Sequence, residues 1–249
     1  MTDCKLTPIE VRLESLTYGI IVRIAEIFHS IQGEGRFTGT SSVFVRSSGC
    51  NLRCWFCDTP YTSWKPEGPQ VPWRGVLDRV LSFDCEHVVV TGGEPMLPRD
   101  IVPLTKALAE HHRFVTIETA GTVYRPVHAD LMSISPKLGN STPPASRSAR
   151  WRSRHEALRQ NLPVVSRLIA EVSYQLKFVV DRPEDLGDIE AYLTLLPNVD
   201  ASHVWLMPQA TTREQLAAQT AWLEPEARRL GLQFTTRKHI ELFGNVRGK

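Results

Sequence analysis

The chain has 249 residues, of which 42% are hydrophobic and 22% charged, and its net charge at pH 7 is +2. This composition is typical of a globular protein that buries a large core without disulfide bonds. The small net charge argues against a nucleic-acid or membrane partner. The first residues lack the apolar run of a secretory signal, and no segment approaches the roughly 20 apolar residues of a membrane helix. We therefore expect a cytoplasmic protein.

Strand-like runs rich in Val, Ile and Phe alternate with helix-like stretches along the chain. Strands are predicted at 19–28, 41–47, 87–93, 114–121, 131–137, 174–180, 203–209 and 232–236. Helices are predicted at 72–83, 98–112, 182–196 and 211–231, and Pro225 is expected to kink or split the last one. This alternation favours an α/β fold with a mainly parallel sheet.

Residues 138–171 interrupt the alternation with a basic stretch that begins rich in Pro and Ser. Its thirteen residues from 147 to 159 include Arg147, Arg150, Arg152, Arg154 and Arg159. A solvated loop followed by an exposed helix is the simpler interpretation. A contact for a partner or an anion is the alternative.

Three of the five cysteines fall within eight positions, directly after the strand predicted at 41–47. Cys50, Cys54 and Cys57 can direct their thiolates to one centre, whereas Cys4 and Cys85 are isolated. A structural zinc needs a fourth ligand, and no second cysteine pair or histidine pair follows. A four-iron cluster held by three thiolates leaves one iron open for another ligand. The spacing favours the iron–sulfur cluster over zinc, and inert buried thiols are the third alternative.

The strand predicted at 87–93 leads into the sequence Thr91-Gly92-Gly93-Glu94-Pro95. Two glycines at the carboxyl end of a strand let a ligand approach the backbone closely, and ligand sites of parallel sheets lie at that end. Together with the cysteine loop, this sequence resembles the radical S-adenosylmethionine (SAM) superfamily. The resemblance implies a partial (β/α) barrel, with the cluster loop after its first strand and SAM bound to the open iron.

A narrower resemblance covers most of the chain from about residue 20. The stretch EIFHSIQGEGRFTGTSSVFVRSSGCNLRCWFCDT (26–59) is similar to the start of the 7-carboxy-7-deazaguanine synthase family. Further matches are VTGGEP (90–95), ETAGT (118–122), SPK (135–137), LKFVV (176–180), MPQA (207–210) and RKHIELFGNVRG (237–248). The resemblance implies one radical SAM domain at 19–249, with an N-terminal extension at 1–18 and a basic insertion at about 138–171.

The family's substrate is 6-carboxy-5,6,7,8-tetrahydropterin, a flat polar ring that needs its donors and acceptors paired. The resemblance implies that the substrate is contacted by Ile31, Gln32, Gly33, Glu34, Arg46, Thr91 and His239. Arg46 could hold the carboxylate through two parallel hydrogen bonds. The same resemblance implies that SAM is contacted by Phe56, Cys57, Asp58, Gly93, Glu94, Ser135, Pro136, Lys137, Met207, Pro208, Gln209 and Ala210. Thr59 is the implied ligand of a Mg²⁺ ion.

The implied reaction contracts the pterin ring with loss of ammonia and gives 7-carboxy-7-deazaguanine, in queuosine and deazapurine biosynthesis. The cofactors are one 4Fe-4S cluster, SAM and Mg²⁺, so the radical comes from SAM and no side chain is expected to be catalytic. An electron donor such as flavodoxin or ferredoxin and a homodimer are also implied. One departure is Ala120, where the family often has Asn.

Two other functions remain open from the sequence. A radical SAM activase that modifies a partner protein would share the cysteines and the GGEP motif, although IQGEG and Arg46 argue against it. A zinc-binding module that contacts RNA through the arginines of 147–159 is the second, but its basic run is short.

Overall fold

The computed structural model describes residues 21–249, and the predicted extension at 1–18 lies outside this range. Residues 21–249 form one nine-stranded sheet with the order β3-β1-β2-β4-β5-β6-β7-β8-β9. The strands are β1 (Ile21–Ile31), β2 (Ser41–Ser47), β3 (Gln70–Pro72), β4 (His87–Gly92), β5 (Phe114–Thr119), β6 (Leu131–Ile134), β7 (Tyr174–Val180), β8 (Val204–Pro208) and β9 (Gln233–Phe234).

Strands β2 and β4 to β9 are parallel, and only β1 pairs antiparallel with its neighbours β2 and β3. Near-continuous apolar runs such as Val88, Val89 and Val90 suit parallel strands that are covered on both faces. The register pairs Arg46 of β2 with Thr91 of β4. Because these strands run in the same direction, their carboxyl ends bring polar residues together at one edge of the sheet.

The helices of the described range are α1 (Pro60–Ser63), α2 (Trp73–Leu81), α3 (Ile101–Glu110), α4 (Ala145–Leu158), α5 (Leu162–Glu171), α6 (Asp185–Thr194), α7 (Arg213–Arg229) and α8 (Lys238–Phe243). The helices α2 and α3 pack side by side, and Leu104, Leu108, Val76 and Val80 enter the main core. No helix at positions 21–249 has the length and apolarity needed to cross a membrane.

Several elements differ from the sequence predictions, among them α7 and β3. Helix α7 is continuous through Pro225, so it is not split there, and the expected alternative of a kink stays a prediction. Pro225 is exposed, and water can therefore satisfy the carbonyl that the missing N–H leaves free. The short edge strand β3 was not predicted, because three residues carry too little pattern. The basic stretch at 138–171 forms the helices α4 and α5.

Candidate active site

A cavity of about 450 Å³ lies at the carboxyl ends of the parallel strands. Ligand sites of parallel α/β sheets form at this edge. The residues predicted from the sequence that line it are Ile31, Gln32, Gly33, Glu34, Arg46, Cys50, Cys54, Phe56, Cys57, Asp58, Thr59, Thr91, Gly93, Ser135, Lys137, Met207, Gln209 and His239.

The cysteine loop follows β2, which is the first of the parallel strands. Cys50, Cys54 and Cys57 are free thiols that border the cavity. Burial raises the pKa of all three thiols, that of Cys54 to about 12. Such thiols keep their protons until a soft metal replaces them. Three thiols of one loop that share a cavity therefore fit a four-iron cluster with one iron open to a further ligand.

Helix α4 holds the cysteine loop in place. His155 is fully buried, its Nδ1 accepts the backbone N–H of Arg53 at 3.1 Å, and its Nε2 lies 2.9 Å from the hydroxyl oxygen of Ser141. Burial lowers the pKa of His155 to about 4, so the ring is neutral and Nε2 can carry the proton. The guanidinium of Arg53 also stacks 3.8 Å above the ring centre of Trp151. Helix α4 thus provides a hydrogen-bond acceptor for the buried backbone N–H of Arg53, a residue between the first two cysteines.

Two tryptophans fix the chain at the second cysteine and directly after it. The indole N–H of Trp64 donates to the carbonyl of Cys54 at 3.1 Å. Trp55 donates its backbone N–H to the carbonyl of Ser141 at 3.2 Å and its indole N–H to the carbonyl of Asn140 at 2.7 Å. The backbone of the loop is therefore ordered by the protein itself, which is what a preorganised metal site requires.

The two glycines after β4 allow the strand end to pack against the cysteine loop. Gly92 has a φ of 127°, which favours glycine. A Cβ atom at Gly93 would lie 2.2 Å from the carbonyl oxygen of Gly49. Any side chain at position 93 would therefore push the start of the cysteine loop away from β4.

Glu94 lies behind the wall of the cavity and is fully buried. Its carboxylate accepts hydrogen bonds from the Thr119 hydroxyl at 2.7 Å, the Ala120 N–H at 2.9 Å and the Met96 N–H at 3.1 Å. Burial raises the pKa of this carboxyl group. The contacts hold the ends of β4 and β5 together, and Ala120 makes one of them through its backbone N–H.

A buried ammonium group lies at the floor of the cavity. The Lys177 Nζ atom is 2.6 Å from the Glu34 carboxylate and 3.5 Å from that of Glu118. Burial by itself lowers the pKa of Lys177, but the two carboxylates outweigh it and raise that pKa above its ordinary value. Glu118 also accepts hydrogen bonds from Gln32 at 3.1 Å and from Thr91 at 2.8 Å. These five side chains form one polar network that can pair the edge of a flat, polar ring.

A second cation closes the other side of this network. Arg237 donates to Glu34 at 3.1 Å and forms an ion pair with Asp58. Burial alone would raise the pKa values of both carboxyl groups, but Arg237 lowers that of Asp58, and Lys177 and Arg237 together lower that of Glu34. Ligand atoms of Glu34, Asp58 and His239 lie within 4.8 Å of one another. Since Arg237 already balances the two carboxylates, this trio is better suited to a polar ligand than to a metal ion.

Arg46 is held in place by a carboxylate. Its Nε donates to Glu26 at 2.6 Å, and the hydroxyl group of Tyr61 donates to the same oxygen at 2.8 Å. Nε of Arg247 lies 3.5 Å from the other oxygen of Glu26. Within residues 21–249 the terminal nitrogens of Arg46 form no hydrogen bond, and its side chain borders the cavity. The guanidinium is thus oriented with its fork available to an anion.

Four of the predicted SAM-contacting residues do not line the cavity, namely Glu94, Pro136, Pro208 and Ala210. Three charged residues of the network, Glu118, Lys177 and Arg237, were not predicted individually. Glu118 and Lys177 could have been recognised from the sequence, because each is a charged residue inside an otherwise largely apolar strand, FVTIET and YQLKFVV. Such a residue must have a partner or a function, because unpaired charges are rarely buried.

The contact between α4 and the cysteine loop leads to a testable prediction. A His155→Leu substitution leaves the Arg53 N–H buried without an acceptor, at a cost of about 1–3 kcal/mol. We expect the reconstituted variant to lose iron to EDTA several-fold faster than the parent protein. His155→Gln, whose amide can both accept and donate, should restore most of the iron retention. Equal iron retention in His155→Leu and the parent protein would contradict this role.

This chain is similar to known proteins over most of its length. A family model described as Radical SAM superfamily matches residues 44–138. The 7-carboxy-7-deazaguanine synthase of Rhodopirellula baltica is 47% identical over 226 residues, which cover 90% of this chain and 88% of that protein. The synthase of Halobacterium salinarum is 40% identical, with 92% and 93% covered.

The fold has a solved counterpart. The crystal structure of QueE from Escherichia coli matches with a TM-score of 0.65 and 22% identity, covering 89% of this chain and 96% of that one. This likeness establishes the fold, a mainly parallel sheet of the radical SAM type, while the sequence relatives establish the family. The chain belongs to the 7-carboxy-7-deazaguanine synthase family of the radical SAM superfamily.

Proposed function

We propose that this chain is a 7-carboxy-7-deazaguanine synthase, a carbon–nitrogen lyase that converts 6-carboxy-5,6,7,8-tetrahydropterin to 7-carboxy-7-deazaguanine. The observation that carries the proposal is the identity of 47% to a synthase over 90% of the chain. The cavity supports it, because a three-thiol loop and a network of paired charges border the same 450 Å³ space.

The thiols Cys50, Cys54 and Cys57 would hold the 4Fe-4S cluster, and the residues beside them would hold SAM. When bound, these groups supply the radical chemistry that removes a hydrogen atom from the substrate. Lys137 is held by the hydroxyl and carbonyl oxygens of Ser135 at 2.5 and 2.9 Å. Its ammonium group borders the cavity and favours the thiolate form of Cys54.

The substrate would bind between Arg46 and the charged floor. Gln32, Glu34, Thr91 and His239 offer donors and acceptors on one side, which suits the amide and amine edge of a pterin. Arg46 offers two free N–H groups to the carboxylate. Because most of these side chains are more than half buried, the site also keeps water away from a reactive intermediate.

The test of the proposed function is a direct assay. Protein reconstituted without oxygen is incubated with dithionite, SAM, Mg²⁺ and 6-carboxytetrahydropterin, and mass spectrometry detects the deazaguanine product. We expect product from the parent protein and from Cys85→Ser, whose thiol lies outside the loop, and none from Cys54→Ala. The thiolate ligand is essential because a two-thiol site does not retain the cluster.

Two outcomes would contradict the proposal. Protein that holds about four iron atoms and cleaves SAM but gives no product would exclude the pterin reaction and favour an activase that acts on a protein. A colourless protein with about one zinc per chain would exclude the radical chemistry altogether.

Glu26 is proposed to orient Arg46 for the substrate carboxylate. Replacing it by Gln removes the charge that fixes the guanidinium, and we expect KM for the pterin to rise about fivefold, the value of a hydrogen bond worth about 1 kcal/mol. The maximal rate should change little, because Glu26 does not reach the reacting atoms. Tyr61→Phe is the matched control, since it removes only the other hydrogen bond to Glu26. An unchanged KM in Glu26→Gln would contradict this role.

We also propose that Thr59 binds Mg²⁺. Its hydroxyl group borders the cavity, lies 3.9 Å from Sγ of Cys57 and accepts from Thr62 at 3.3 Å. Mg²⁺ keeps several waters and takes few protein oxygens, so one hydroxyl and the substrate carboxylate are sufficient.

Thr59→Val keeps the shape of the side chain and removes this oxygen. We expect the Mg²⁺ concentration for half-maximal rate to rise about tenfold. Thr59→Ser, which keeps the hydroxyl, should behave like the parent protein. The same Mg²⁺ dependence in both variants would exclude Thr59 as a ligand.

Two partners complete the proposal. The cluster must receive one electron from outside, for which a flavodoxin or a ferredoxin is suited. A homodimer is proposed from the family, and its formation is measurable by light scattering.

A further inference from the structure

The cations of helix α4 differ from most of those on the other helices. On α3, α5, α7 and α8 an exposed Lys or Arg has a carboxylate three or four residues away, as in the pairs Lys106–Glu110, Arg167–Glu171, Arg228–Glu224 and Lys238–Glu241. Helix α4 exposes Arg147, Arg150, Arg152 and Arg154, and none of them forms an ion pair within residues 21–249.

This helix therefore carries a local positive field. Residues 145–159 contain five arginines and one carboxylate, Glu156, whereas the whole chain has 29 basic and 27 acidic residues. Unbalanced charge in one segment attracts oppositely charged partners and accelerates their association.

The basic helix lies directly beside the cysteine loop. Arg147 stacks 3.6 Å above the ring of Trp64, whose indole N–H bonds to Cys54. Arg152 borders a groove together with Trp55, which is 40% exposed. Both tryptophans next to the second cysteine are thus flanked by arginines.

We propose that the exposed arginines of α4 and Trp55 form the docking surface for an acidic one-electron carrier protein. The proposal rests on the proposed function, because only an enzyme with a cluster in this loop needs such a donor. The carrier loses one electron and the cluster gains it, and no bond is made or broken.

The position of the surface fits this partner. The groove beside Trp55 and the substrate cavity share no lining residue, yet Cys54 borders the cavity and Trp55 follows it in the chain. A protein docked on α4 would therefore come close to the cluster without blocking the entry of SAM or substrate. Exposed Trp and Arg are also the residues that most often dominate the binding energy of protein interfaces.

The first test measures binding without turnover. Oxidised acidic flavodoxin is titrated into the reconstituted protein by calorimetry at about 0.1 M and about 1 M salt, where the Debye length falls from about 10 Å to about 3 Å. We expect Arg150→Glu/Arg152→Glu to raise Kd about tenfold at the lower salt and to differ little at the higher. The matched control, Lys106→Glu/Arg228→Glu, reverses two exposed charges on α3 and α7 and should bind within about twofold of the parent.

The second test separates docking from catalysis. With dithionite as reductant, both double variants should turn over at the parental rate, which also shows that they are folded. With limiting reduced flavodoxin, only Arg150→Glu/Arg152→Glu should be slower. If that variant fails to fold, the milder Arg150→Gln/Arg152→Gln removes both charges but keeps amide donors on the helix, and it should weaken binding about threefold.

Three results would contradict the proposed docking surface. They are equal Kd values for the α4 variant and its control at low salt, no binding of flavodoxin to the parent protein, and equal flavodoxin-driven rates. Failure of the parent protein to form product with dithionite is a different result. It counts against the proposed function, while the calorimetric titration still decides whether α4 binds the carrier.

Discussion

The buried ion pair between Lys177 and Glu34 is the interaction on which the polar side of the cavity depends. The two residues are 143 positions apart, and Lys177 lies in the middle of β7 between the buried apolar residues Leu176 and Phe178. An ammonium group there is tolerated only if carboxylates meet it. The pair therefore fixes the IQGEG segment over β7. Glu34 also pairs with Arg237, which lies 203 positions later in the chain. Glu118 is linked to the same network because it accepts hydrogen bonds from Gln32 and Thr91.

The cluster side of the site follows a different physical rule. To bind a metal together, the three thiols must be held at fixed positions by an ordered loop. Hydrogen bonds to the loop backbone supply this order, and charge contributes less. His155 pairs the N–H of Arg53 and Trp64 pairs the carbonyl of Cys54. Gly93 has no side chain that would separate the loop from β4. The two sides meet at Asp58, which follows the last cysteine and pairs with Arg237.

The sequence predicted the parts of the site that local chemistry determines. Cysteine spacing and the Gly-Gly-Glu turn each depend on residues close in the chain, so the pattern itself carries the information. Most of the strands were predicted for the same reason, because their apolar runs are continuous. Lys177 and Arg237 were missed as individual residues, since their importance arises from partners that only the fold brings near. The link between His155 and Arg53 spans 102 residues and has no sequence signal at all.

Glu26 has a wider consequence, because it contacts two arginines from different parts of the chain. One is Arg46 at the cavity, and the other is Arg247, which also stacks over Tyr61 and pairs with Glu67. Arg247 borders the cavity as well, so an anion bound at Arg46 adds negative charge beside the Arg247 guanidinium and favours its position. By thermodynamic linkage, occupation of the cavity and docking of residues 245–249 support each other. Filling the site should thus protect residues 245–249 from cleavage by a protease.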